Sequence, residues 1–78
     1  MSLKFSQNTA TLADQVSVED AETLLEWLVQ HPTADVDLSG VNHLHAANLQ
    51  VLMALKPSIS AWPQDSDIHA WLRAALNV

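Results

Sequence analysis

The chain has no cysteine, one glycine, three prolines and only three cationic side chains. Each scarcity removes a class of answer. Without cysteine there is no disulfide framework, no thiolate nucleophile and no zinc–sulfur site, which fits a reducing compartment. So little proline and glycine argues against disorder and against a turn-rich all-β fold. Lys4, Lys56 and Arg73 are scattered singly among nine acids, for a formal charge of −6. The clustered cations that displace counterions from a nucleic acid are therefore missing, and an anionic membrane surface would repel the chain. No apolar run approaches membrane-spanning length, and the opening MSLKFSQNTA lacks the apolar core of a signal peptide. The expectation is a soluble cytoplasmic protein, with no membrane insertion and no nucleic-acid partner.

Hydrophobic residues make up 49% of the 78 positions and charged residues 15%. A domain this small has room for one core, so a single domain over residues 1–78 is expected. The low charge density hints that some apolar surface is covered, by a protein partner or by a second copy in a homodimer.

Periodicity supplies the elements. Leu3 and Phe5 alternate with Lys4 and Ser6, Gln7-Asn8 suits a turn, and Thr9–Leu12 suits a returning strand, with Val16 ending a second extended segment. Ser17 is placed to N-cap a helix, with Glu19, Asp20 and Glu22 at the positive end of its dipole. Val18, Ala21, Leu24, Leu25, Leu28 and Val29 then recur at three- and four-residue steps, as one apolar stripe. Pro32 ends this helix near His31. Trp27 lies off the stripe, and is expected to lie flat along the domain's rim or else to face outward as a partner contact.

The segment from Ala34 to Lys56 organises the rest. It predicts a strand over Ala34–Leu38, a turn at Ser39-Gly40, a loop through Val41–His45 and a helix from about Ala46 to Lys56. Because Asp35 and Asp37 alternate with Val36 and Leu38, one face of the strand must be polar, lie near a sheet end, or cap a neighbouring turn. The helix is apolar nearly all round, so its Val51–Leu55 side meets a neighbouring helix or a partner. Ser58–Ala61 predicts a last strand. Asp65 or Ser66 caps a last helix carrying Ile68, Trp71, Leu72, Ala75 and Leu76 on one face. The fold class is α/β: a small mixed four-stranded sheet with about three helices packed on it, in the order β-β-α-β-α-β-α.

Chemistry is sparse. His43-x-His45 in an extended segment could turn two imidazoles to one metal ion, with Asp37, His31 or His69 as third ligand, but the spacing is common by chance. Ser39 lacks the preceding glycine of a nucleophile elbow and any identified base. One glycine cannot build a phosphate-binding loop, and Asp35 with Asp37 is more often a solvated pair. No enzyme, catalytic residue, cofactor or metal is expected.

Asp37-Leu38-Ser39-Gly40-Val41 at a strand end, followed by a helix bearing Leu49-Gln50-Val51-Leu52, resembles the STAS domain (sulfate transporter and anti-sigma-factor antagonist). The order of elements agrees across nearly the whole chain, and the short form looks most like small bacterial STAS proteins associated with chemotaxis signalling. The resemblance implies a protein partner docking around the preceding loop and the start of the helix, at His43, His45, Ala46, Ala47, Asn48 and Val51. Signalling members carry Asp-Ser-Ser/Thr-Gly there and are phosphorylated on the second hydroxyl residue. Here the positions read His45-Ala46-Ala47-Asn48, so Ala47 is a degenerate phosphosite. The implied function is non-catalytic protein–protein interaction in bacterial signalling, anti-sigma-antagonist-like or chemotaxis-associated. The alternative is a soluble accessory subunit of a lipid or ABC transporter, with a His-based metalloenzyme behind both.

Overall fold

The computed structural model describes residues 2–76; the single domain expected over 1–78 also takes in residues 1, 77 and 78, which lie outside the described residues. The elements follow the expected order: β1 (Leu3–Ser6), β2 (Thr9–Val16), α1 (Val18–Gln30), β3 (Asp35–Leu44), α2 (Ala46–Leu55), β4 (Ser58–Ala61) and α3 (Ser66–Leu76). The sheet order is β1-β2-β3-β4. The β1–β2 pair is an antiparallel hairpin closed by Gln7-Asn8, with Gln7 in the left-handed region at φ 51°. β3 runs parallel to both β2 and β4.

The two parallel crossovers step in the same direction, and the right-handed rule for such connections puts α1 and α2 on one face of the sheet. The two helices pack together there, α3 packs beside α2, and Leu72 of α3 joins the same buried core as Leu12, Leu38 and Leu52. The opposite sheet face carries Lys4, Ser6, Thr9, Thr11, Asp35, Asp37, Ser58 and Ser60, all part-exposed or exposed. A polar face is one of the outcomes that the alternation in β3 left open, and Asp37 also clamps the neighbouring Ser39. Among the apolar residues assigned to helix faces, Val18, Leu25 and Val29 of α1 and Trp71 of α3 depart: all four are exposed, while Ala21, Leu24, Leu28 and Leu72 are buried.

β3 corrects the expected turn. The strand runs on through Ser39-Gly40 and the expected loop as far as Leu44, and Gly40 does not have positive φ. It is bulged instead. Between the Thr11–Asp37 and Ala13–Gly40 pairs, β3 advances one residue more than β2, and it does so again between Asp14–Val41 and Gln15–His43. Asp37 Oδ1 drives the first bulge by accepting from the Ser39 amide (2.9 Å) and hydroxyl (2.7 Å), which offers that amide a local partner. Each extra residue resets the alternation, so Val36, Leu38, Val41 and Leu44 all point into the core. Gly40 serves close approach: a Cβ there would stand 3.2 Å from Ala13 Cβ.

Ser17 occupies the N-cap of α1 as expected, and its tie to Asp20 runs from Ser17 to the Asp20 carboxylate. The Asp20 carboxylate accepts from the Ser2 hydroxyl and from the Ser17 amide (3.0 Å) and hydroxyl (3.3 Å). These bonds, the one from Ser2 foremost, outweigh desolvation and hold its pKa below the ordinary carboxylate value. A depressed folded-state pKa means that this stabilisation is complete above the unfolded-state value of about 4 and is lost as pH falls through the folded-state value. Asp20→Asn is therefore expected to lower stability by about 0.5–1 kcal/mol at neutral pH. In urea unfolding of both proteins from pH 7 to pH 3, the gap should close on acidification; a gap independent of pH would refute this role.

Candidate functional site

The site expected from the sequence lies where β3 ends and α2 begins. His45 is the N-cap of α2, and its Nδ1 accepts from the Ala47 amide at 3.0 Å. The Asn48 amide donates to the His45 carbonyl at 2.9 Å, and the His45 amide donates to Val16 O at 2.9 Å. Two of the first amides of this helix thus have internal partners, the ends from which an anion site is usually built. His43 and His45 are exposed on either side of buried Leu44, Ala46 is exposed and Ala47 is half-buried. These four reach the surface within one five-residue stretch.

Asn48 and Val51 do not join them. Asn48 is fully buried and Val51 is 9% exposed. The physical reason is the packing of α2 on both the sheet and α1: Asn48, Leu49, Val51 and Leu52 make up its inner arc. Asn48 Nδ2 donates to Ser17 O at 2.7 Å and to Val16 O at 3.3 Å, tying the start of α2 to the junction of β2 and α1. Its Oδ1 is buried with no hydrogen-bond partner. The signal for this was present in the spacing, since Asn48 lies four residues before Leu52 and seven before Leu55, on the apolar side of the helix. On the Val51–Leu55 side, Val51 is taken up by the core and Leu55 stays 38% exposed beside the end of α1.

The remaining candidates are dispersed. Trp27 is half-buried at the sheet's β1 margin, stacked between Phe5 (centroids 4.7 Å apart) and His31 (4.2 Å), whose Nδ1 lies 2.8 Å from the Trp27 carbonyl. His69 stacks on Trp62 at 5.5 Å. Two of the ligands considered for His43 and His45 are thus held in aromatic stacks, and the third, Asp37, clamps the β3 bulge. Among the described residues no group of three or more His, Asp or Glu side chains is arranged to hold a metal ion, and no helix is long and apolar enough to cross a membrane.

A scan against models of known protein families finds no match, and no curated protein matches the chain.

Proposed function

We propose that the chain is a non-catalytic, STAS-like protein–protein interaction module of bacterial signalling, which docks its partner through His43, His45, Ala46 and Ala47. The observation that carries the reading is Ala47: it sits half-exposed on the first turn of α2, at the end of a parallel β-strand, where the STAS resemblance puts a phosphorylated hydroxyl. Alanine has no oxygen to accept a phosphoryl group. Docking there would be constitutive, since nothing at that position can be toggled by a kinase. Small neutral groups cost little to desolvate and let a partner backbone come close, and the net charge of −6 steers basic partners while disfavouring acidic ones.

The reading is tested by purifying the chain with its partner from a bacterial source and repeating the capture with Ala47→Arg. Loss of a signalling protein from the complex, at unchanged thermal stability, is the expected result. Capture of a transporter ATPase would move the module to a transport assembly. Indifference of every specific partner to Ala47→Arg would overturn the docking site.

A further inference from the structure

Three apolar side chains of α1 remain outside the core: Val18 (54% exposed), Leu25 (39%) and Val29 (60%). Their spacings of seven and four residues put them in one row, about a quarter turn from buried Ala21, Leu24 and Leu28. Val29 and Leu28 line a groove of about 250 Å³ with Leu55 of α2, at the C-terminal ends of the two helices. At the other end the Asn48–Ser17 hydrogen bond sets the two helix starts side by side. Since β2 and β3 are parallel and each feeds one of these helices, α1 and α2 are parallel as well. The exposed row of α1 therefore runs along the seam between them, from Val18, next to the Ser17–Asn48 tie, to Val29, which shares the groove with Leu55.

On the α1 side of this trough the charge has one sign, and the cation at its far end is Lys56, the C-cap of α2. All four charged residues of α1 are acids, and Glu19, Glu22 and Glu26 are exposed; α2 carries no charge from Ala46 to Leu55. A second copy would bring the same acidic row against itself in a two-fold interface, and like charges facing each other disfavour that pairing. We propose that the α1/α2 trough seats an amphipathic helix of a protein partner, whose apolar row fills the seam and whose Lys or Arg flank meets Glu19, Glu22 and Glu26. The proposal rests on the reading of the chain as a docking module and names its occupant.

The test uses the full chain, labelled with nitrogen-15, and two synthetic helical peptides of about four turns. Both carry leucines at three- and four-residue steps; one has lysine on its flanks and the other glutamate. The lysine peptide is expected to shift the amides of Val18, Leu25, Val29 and Leu55, and the glutamate peptide to leave them in place. Leu25→Asn with Val29→Asn should weaken the lysine peptide about tenfold, as should Glu22→Gln with Glu26→Gln, the latter contribution fading in high salt. Ser6→Asn on the polar sheet face serves as a control and should change nothing. Thermal melts confirm that each variant is folded. Shifts confined to the sheet face, affinity unmoved by the Leu25/Val29 pair, or a dimer that this pair dissolves would each overturn the proposal. A partner that is lost with Ala47→Arg but indifferent to the Leu25/Val29 pair sinks the trough alone. A partner indifferent to both sinks the docking module with it.

Discussion

Asn48→Asp is expected to bring the protein close to unfolding at neutral pH. The change conserves shape but removes the two N–H donors that reach Ser17 O at 2.7 Å and Val16 O at 3.3 Å. It sets a carboxylate, already unpartnered at its Oδ1 position, against two carbonyl oxygens in a fully buried site. Two lost hydrogen bonds contribute about 0.5–1.5 kcal/mol each, and a buried charge without a partner raises the total to about 3–5 kcal/mol. At roughly 0.05–0.15 kcal/mol per residue, a domain of this size has a stability of the same order.

The sign of the pH dependence identifies the cause. Burial and the facing carbonyls raise the folded-state pKa of this new acid above its unfolded-state value, so the deficit is full above the folded-state pKa and shrinks as pH falls through it. The protonated acid regains a donor for Ser17 O. Urea unfolding of variant and parent at pH 5 and pH 7.5 measures this. Equal midpoints at pH 7.5, or a deficit that deepens on acidification, would show that Asn48 is not the buried tie described. Asn48→Ala is expected to cost less, about 1–2 kcal/mol, because Val16 O still accepts from the His45 amide and Ser17 O from the Asp20 amide. It also removes the orphaned oxygen.

The same residue shows where sequence reasoning stops. The stripes of α1 and α3 and the alternation of β1 are local patterns, and they placed the elements in the right order. Asn48 and Gln50 are the two polar residues of an otherwise apolar helix, and together they read as its solvent face. The spacing of Asn48 from Leu52 sets it on the inner side of α2, but its partners, the carbonyls of Val16 and Ser17 about thirty residues upstream, are not written in any local pattern. β3 escaped for a related reason. Val36, Leu38, Val41 and Leu44 are spaced two, three and three apart, which breaks a period of two, so the segment after Leu38 reads as turn and loop. The bulges that rescue the period depend on pairing with β2 and on the Asp37–Ser39 clamp. Of the candidate docking residues, 43 and 45–47 reach the surface, whereas Asn48 and Val51 turn inward.

Val51 gives the second large effect, and it separates folding from docking. Ala47 and Val51 are one helical turn apart on the side of α2 that meets α1, the first half-buried and the second 9% exposed. Arginine at position 47 can carry its charge out along its aliphatic stem, so Ala47→Arg should change stability by no more than about 1 kcal/mol. Aspartate at position 51 has no such reach. Val51→Asp gives up about 1.5–3 kcal/mol of apolar burial and places a carboxylate among Val, Leu and Ala side chains, for a total of about 3 kcal/mol or more. In a domain of this length each kcal/mol moves the melting temperature by about 4–8 °C. Circular dichroism should therefore show Val51→Asp melting at least about 12 °C below the parent and Ala47→Arg within a few degrees of it. If Val51→Asp melted with the parent, position 51 would face solvent and the docking patch would extend along α2. If it melts early, a partner lost with that variant reports on the fold, and Ala47→Arg alone of the two reads the contact.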